Sequence, residues 1–383
     1  MVISRLPNAV LNVGILRSSA IGDVVLATGC LDLLDRLKVP VGVTWVGLPP
    51  SLPIVEQAWP GVKGVEVRGR DVAGLEKVLP ELRGLDLLVD LQTNLRSHLI
   101  AHTLKTEFGI PSYACRKNTI GRSGMVMKAR MRGRRRSLPG GLVHTSFRAH
   151  RMMSDCLRRA LGIHLDKEAL AEILAYDPVP RLPFPPDDPS GRPTWLKELK
   201  FGNWMAIAPG AAHPAKQAPT SLFRSILGKL RAQLQEAGSG PGPGLVFLGS
   251  EQERPLALEI YDAIDWPWPV LNLAGKLSLV ESARALAAAG LYLGNDTGLA
   301  HISEAVGRPA GVIFGPTVEA FGFAPWRAGS RTFSTDLGCR PCSKHGKVGC
   351  RFGDHQCMTA IDQDQVVQWV LGQLAGQAKE ASR

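Results

Sequence analysis

The 383-residue chain has no run of eighteen or more uncharged apolar residues, so no helix of ordinary spanning length is expected. No G-x-G-x-x-G follows its first apolar run and no G-x-x-x-x-G-K-[ST] occurs anywhere, which removes the main support for a dinucleotide oxidoreductase or a P-loop NTPase. The apolar stretch 6–16 is interrupted by Pro7, Asn8 and Asn12, and no small-residue cleavage pattern follows it. It therefore reads as a first strand rather than a signal peptide. Without an export signal the seven cysteines are expected as reduced thiols in a cytoplasmic protein.

What is present is an ordinary soluble composition, 45% apolar and 21% charged, in a chain long enough for two domains. The formal net charge of +11 points to anionic partners: nucleic acid, phosphorylated sugars or an acidic membrane surface.

Continuous apolar runs at 10–16, 41–47, 62–67 and 85–91 alternate with helical patterns at 24–37, 71–82 and 96–105. Such runs suit strands buried on both faces of a parallel sheet, so a doubly wound α/β domain is expected. Residues 177–193 hold seven prolines and read as a semi-rigid linker. The rhythm restarts at 204–208, 245–248, 270–273, 290–293 and 310–314, with helical patterns at 219–236, 252–264 and 279–289. The expected layout is two Rossmann-like domains, 1–180 and 181–361, then a C-terminal helix in 362–383. Ligands are expected at the C-terminal ends of the strands, in a cleft between the halves.

Four segments carry candidate chemistry. Arg17–Asp23 (RSSAIGD) follows the first strand, where Asp23 reads either as a helix cap or as a general base. Gly294–His301 (GNDTGLAH) places Asn295 or Asp296 at a helix N-cap. Thr297 and Gly298 then fall in a first turn whose amides favour phosphate, with His301 about one turn on, either a packed histidine or a ligand. Pro209–Lys216 (PGAAHPAK) sets Lys216 at a strand-end loop, and Gly249-Ser250-Glu251 and Gly275-Lys276 end later strands. The fourth is Cys339-x2-Cys342-x7-Cys350-x6-Cys357, read either as packed thiols or as a structural zinc site. Beside these, residues 115–136 contain nine Lys or Arg and no acid. They read as a solvated loop or as a collar for an anionic acceptor; nucleic acid is not expected, because the run lacks aromatics for stacking bases.

Together these segments resemble glycosyltransferase family 9, the lipopolysaccharide heptosyltransferases. The matching pieces are R-x-S-x-I-G-D-V at Arg17–Val24, D-L-Q-x-N-L-R-S at Asp90–Ser97, P-G-A…K-x-x-P…F from Pro209 to Phe223, L-A-G-K-L-S-L at Leu273–Leu279 and N-D-T-G-L-A-H at Asn295–His301. They run in family order over roughly 15–325. The resemblance implies a GT-B fold whose C-terminal helix returns to the first domain, and inverting transfer of heptose from ADP-heptose to the inner core of lipopolysaccharide. It implies Asp23 as general base and Lys216 on the donor phosphates. Asp296, Thr297, Gly298, His301, Gly210, Glu251 (or Glu253) and Lys276 would bind the donor. Ser19, Arg96, Arg116, Lys117 and Arg122 would bind an anionic lipid A-core acceptor, with peripheral contact at the inner membrane surface. No cofactor is implied, and no D-x-D pair is placed to hold a divalent ion. The lysine loop (AAHPAKQAP) departs from the family in lacking an aromatic after the lysine. Alternatives are another nucleotide sugar, a later core acceptor, or a non-catalytic basic scaffold binding anionic lipid or RNA.

Overall fold

The computed structural model describes residues 10–67, 77–115, 119–133, 149–184, 195, 197, 199, 204–238 and 241–381. Contacts divide the chain into two compact units: Met1–Lys117 with Phe147–Pro185, and Asn118–Ser146 with Pro186–Arg383.

In the first unit β1 (Leu11–Leu16) is followed by α1 (Ile21–Ala27), α2 (Gly29–Leu34), β2 (Val41–Gly47), α3 (Leu52–Ala58) and β3 (Val62–Glu66). Next come α4 (Leu79–Leu82), β4 (Leu87–Asp90), α5 (Leu95–Phe108) and β5 (Ser112–Ala114). The strands form one sheet in the order β3-β2-β1-β4-β5, and every pairing is parallel. The sheet reverses direction at β1, between β2 and β4, and the loops leaving β1 and β4 flank that switch point, where α/β sheets bind ligands. The helical pattern 24–37 is two helices that meet at Thr28, whose hydroxyl donates to the Val25 carbonyl at 2.7 Å. Of the helical pattern expected at 71–82, residues 71–76 lie outside the described residues and α4 occupies Leu79–Leu82.

Helix α6 (Thr119–Arg132) groups with the second unit. The reason is apolar: Val126, with Met125 beside it, packs against Val318, Ala320 and Phe321. Helices α7 (Ala149–Leu161) and α8 (Lys167–Ala175) return to the first unit. The first residues of the proline-rich segment are bound there too. Buried Asp32 of α2 accepts from the Tyr176 hydroxyl at 2.8 Å and the Val179 amide at 3.0 Å, and pairs with Arg181. The rest of that segment, from 185, falls outside the described residues.

The second unit continues with β6 (Trp204–Ala208), α9 (Thr220–Glu236), β7 (Gly244–Phe247), α10 (Arg254–Ala263), β8 (Val270–Asn272) and α11 (Leu279–Ala288). It closes with β9 (Leu291–Asn295), α12 (Gly298–Ala305), β10 (Ala310–Ile313), β11 (Arg331–Phe333), α13 (Gln356–Thr359) and α14 (Gln363–Ala381). Its six strands order as β11-β10-β9-β6-β7-β8, again all parallel. The two Rossmann-like sheets expected from the apolar runs are therefore present. The short edge strands β5 and β11 and helices α7 and α8 add to them.

The C-terminal helix contributes to the core of the second unit. Val366, Val367, Trp369 and Val370 of α14 join the core of the second unit, with Leu230 of α9, Ile313 of β10 and Phe333 of β11. Gly311 admits the Trp369 indole; a Cβ there would lie 2.5 Å from the ring. The indole donates to the Gly329 carbonyl at 2.8 Å. The apolar stripe of the helix is thus buried in the core of the second unit. Trp369→Ala should lower unfolding stability by about 3–5 kcal/mol, read by denaturant titration; a loss below about 1 kcal/mol would contradict this placement.

Candidate functional site

In the first unit the site is built on the two loops at the sheet's switch point. Arg17 is buried and holds the β1 loop from below: its guanidinium donates to the Leu91 carbonyl and pairs with the Asp23 carboxylate. Its own carbonyl accepts from the Trp45 indole at 3.2 Å. Gln92, in the loop after β4, accepts from the amides of Ser18 at 3.1 Å and Ser19 at 3.4 Å, and its amide nitrogen donates to the Ser19 hydroxyl at 3.4 Å. Gln92 is fixed in turn by buried Asp90. That carboxylate accepts from the Gln92 and Thr93 amides at 2.9 and 2.8 Å and from the Ser97 hydroxyl at 2.7 Å.

The capping reading of Asp23 is not met. The N-cap of α1 is Ala20, and Asp23 sits in the first turn with its carboxylate on Arg17. It is a quarter exposed, so it is oriented by a buried cation yet open to solvent. Arg96 lies in the first turn of α5, whose N-terminus is closed by an Asn94–Ser97 capping box. A cation there opposes the helix dipole in sign, an arrangement that suits a bound anion better than a bare helix. Arg116 and Lys117 lie outside the described residues.

In the second unit, buried Asn295 ties two strand-end loops together. Its amide nitrogen donates to the carbonyls of Pro209 at 2.6 Å and Gly210 at 3.2 Å, and its oxygen accepts from the Ala218 amide at 3.1 Å. This explains why Asn295 ends β9 instead of capping a helix; the N-cap is Thr297, one residue past Asp296. The Thr297 side chain makes no capping bond, so the first-turn amides beginning at Gly298 are not closed by their own cap.

Lys216 is not a solvated tip. It ends a single 3-10 turn, Pro214–Lys216, and its ammonium reaches Asp296 Oδ2 at 2.6 Å and the Asp296 carbonyl at 3.3 Å. The Thr317 hydroxyl donates to the same carboxylate oxygen at 2.9 Å. The loop holding Thr317 is anchored by buried Arg340, which donates to the carbonyls of Gly315 (2.6 Å), Thr317 (3.0 Å) and Phe314 (3.2 Å). Arg340 is reached from α6 through Arg132, which donates to the Gly338 and Arg340 carbonyls at 3.2 and 3.1 Å.

Further cations gather here. Arg122 of α6 stacks on Phe323 at 4.9 Å, and Lys344 donates to the Ser123 hydroxyl at 2.8 Å. Gly346, with φ +76°, lies against the Lys216 stem: a Cβ there would stand 2.5 Å from Lys216 Cγ. His213 is held below the usual imidazole range by burial, then by Lys216 and Lys347. His345 is lowered by desolvation first, then by Arg122, Lys347, Lys216 and Lys344. Both imidazoles are therefore neutral at pH 7, and the region is positive around Lys216.

The remaining donor-side candidates scatter more. Gly210 approaches Glu253, whose carboxylate would lie 2.4 Å from a Cβ at that position. Glu253 is spent on a capping box, accepting from the Ser250 amide at 2.7 Å and hydroxyl at 3.0 Å. Glu251 is exposed beside Gly275 and Arg254, and Lys276 is exposed in the loop after β8. His301 is buried and stacked on Trp326, centroids 5.9 Å apart at 14°, which favours the packed-histidine reading.

The four clustered cysteines are free thiols lining one pocket. Burial raises the Cys342 thiol and pushes Cys357 up to about 12. Among the described residues no three His, Cys, Asp or Glu side chains converge as a metal ion requires.

Sequence reasoning missed Gln92, Thr317, Arg340 and Gly346. Thr317 follows β10 in the same strand-end position as the other candidates and was open to the same rule. Arg340 and Gly346 carried no signal, because their partners are backbone carbonyls and a lysine stem far away in the chain.

Residues 192–350 match the model of glycosyltransferase family 9 (heptosyltransferase). Lipooligosaccharide heptosyltransferase 2 of Campylobacter jejuni is 29% identical over 126 residues, 32% of this chain and 39% of that protein. The Haemophilus influenzae protein of the same name is 32% identical over 116 residues, 30% of this chain and 31% of that protein. The chain thus spans well under half the length of the curated relatives it matches. Among solved structures, a family 9 glycosyl transferase from Veillonella parvula superposes with TM-score 0.67 at 17% identity, covering 96% of this chain and 98% of that one. Escherichia coli ADP-heptose lps heptosyltransferase II gives 0.66 at 18%, covering 96% and 100%. At those identities the likeness establishes the fold, two Rossmann-like α/β units of the GT-B class.

Lys216→Met would leave the buried Asp296 carboxylate without its cation and should cost about 1–3 kcal/mol of stability. Denaturant unfolding checks it, and an unchanged midpoint would mean that the pair does not hold the loop.

Proposed function

We propose, from the match of residues 192–350 to glycosyltransferase family 9, that the chain transfers heptose from ADP-heptose to the inner core of lipopolysaccharide. The transfer inverts the anomeric centre and needs no divalent ion. The observation that carries this reading is the strand-end constellation of the second unit. Lys216 is locked to Asp296 at 2.6 Å beside the helix N-terminus at Gly298, which its own cap leaves open. That combination suits a diphosphate, since helix amides and a lysine both favour negative charge.

In the proposed reaction the acceptor hydroxyl oxygen attacks the anomeric carbon as the bond to the donor's β-phosphate oxygen breaks. The electron pair leaves with the nucleoside diphosphate, and the hydroxyl proton passes to Asp23. Arg17 orients the Asp23 carboxylate, and the Gln92 bridge fixes the Ser18 and Ser19 amides that lead into it. Negative charge growing on the leaving diphosphate is met by Lys216, the Gly298 amide and the surrounding cations, a fixed set of donors that needs no rearrangement in the transition state. Asp296 faces the donor sugar, with Gly210 and Glu251 on the nucleoside side. Arg96 and Ser19 receive the anionic acceptor. Arg122, which acts with Lys216 on His345, adds to the positive charge that an anionic acceptor would meet.

The names of the relatives agree with this reading, as do the solved heptosyltransferases of Escherichia coli that carry ADP and an ADP-2-deoxy-2-fluoro heptose. Asp23→Asn should reduce transfer by about 10²–10⁴-fold, the range for losing a positioned general base, while ADP affinity stays within about twofold. Steady-state kinetics and calorimetry check the two halves, and wild-type turnover in the variant would remove Asp23 from the role.

A further inference from the structure

The cysteine segment, 339–357, lies beyond the last of the motif pieces, Asn295–His301, yet one turn of it packs on the Lys216 rim of the same unit. That turn, 343–347 (SKHGK), is pinned from three sides. The Cys342 amide donates to the Pro316 carbonyl at 3.0 Å, which sets the turn beside the β10 loop. Buried Ser343 closes it, its hydroxyl accepting from the Gly346 amide at 2.9 Å and the His345 amide at 3.4 Å. Lys344 ties it to α6 through the Ser123 hydroxyl at 2.8 Å. Gly346 takes φ +76°, and a Cβ there would stand 2.5, 3.2 and 3.4 Å from Cγ, Cδ and Cε of Lys216. Space and backbone conformation both ask for glycine. The lysine loop has no aromatic to pack that stem; the Gly346 backbone packs it.

The turn also brings charge to this place. Lys347, next to Gly346, is exposed. After desolvation, Lys216 and Lys347 depress His213 of the β6 loop, and both also act on His345 of the turn itself. An exposed ammonium felt by imidazoles on two separate segments stands between them. The other cations here are already engaged: Lys216 on Asp296, Lys344 on Ser123 and Arg122 over the Phe323 ring. Among the described residues Lys347 meets no carboxylate. A cation without a counter-charge, on an ordered turn that lies against the Lys216 stem, is placed for an anion that Lys216 also meets.

We propose that the turn at 343–347 is a second arm of the diphosphate site, with Lys347 binding the terminal phosphate of the leaving nucleoside diphosphate together with Lys216. The inference rests on the donor reading of the Lys216 rim and adds to it a residue that lies outside every motif piece. In the donor that phosphate is esterified to the sugar. Once the glycosidic bond breaks it gains roughly one further negative charge, as a free phosphate monoester carries near pH 7. A cation at that phosphate therefore holds the transition state and the released diphosphate more tightly than the bound donor, and such a difference raises turnover more than donor affinity. A nucleoside monophosphate has no second phosphate and leaves Lys347 without a partner.

Calorimetric titration of the full chain with ADP and with AMP tests this. Lys347→Met should weaken ADP binding about tenfold, the size of one charge-assisted hydrogen bond, and leave AMP within about twofold. Lys347→Arg keeps the charge and should hold ADP within about threefold of wild type. Lys105→Met removes an exposed charge of the same kind from α5 and should leave both nucleotides within about twofold. Since Lys347 is exposed, its variants should unfold at the wild-type midpoint. A Lys347→Met chain that binds ADP as the wild type does, or that loses ADP and AMP equally, would overturn the inference and leave the transferase reading standing. A wild-type chain that binds ADP no better than AMP would remove the donor reading of the rim, and this inference with it.

Discussion

The side chain of Asn295 sets the geometry on which the second unit's site depends. A fully buried amide cannot go without partners, and this one satisfies both its ends on the loop leaving β6, at Pro209, Gly210 and Ala218. The β6 and β9 loops are thereby held at a fixed separation. Lys216 and Asp296 are each adjacent to one end of that clasp, and their 2.6 Å pair follows from it. Thr317 and the Arg340 anchor extend the same constraint to the β10 loop. Three consecutive strand ends across the sheet thus behave as one rigid rim, which is what a site stabilising leaving-group charge needs.

The first unit solves the matching problem with different groups. Asp90 is the buried centre there, and it acts through Gln92 on the amides of Ser18 and Ser19. Arg17, in turn, joins the β1 loop to both the β4 loop and Asp23. A carboxylate proposed to accept a proton must be held in place without being buried. The Arg17 contact and quarter exposure of Asp23 meet both conditions.

Much of this was legible in the chain. Strands buried on both faces show as continuous apolar runs, so the parallel sheets could be read from VLNVGIL or WMAIA. The strand-end rule then led to Asp23, Lys216 and Asp296. The rest was hidden for identifiable reasons. Strands β5 and β11 have three residues each and sit at sheet edges, too short for a periodic signal. Asn295 has the composition of a cap, but a tertiary clasp claimed it. The basic stretch looks like a solvated loop because its inner face is carried by few residues, Met125, Val126 and Ala129, and its partners lie about 190 residues on. The C-terminal helix was expected by likeness, and its own stripe was not read. Val366, Val367 and Val370 were matched by a core already close at hand.

The central claim is that this molecule moves heptose from ADP-heptose using its own side chains alone. It is tested most directly by incubating the protein, in the presence of a chelator, with ADP-heptose and a panel of truncated core acceptors, and reading the products by mass spectrometry. The account predicts release of ADP and one acceptor heavier by a single heptose residue, with inverted anomeric configuration. An acceptor panel left unmodified, or a product formed only when a divalent ion is restored, would contradict it.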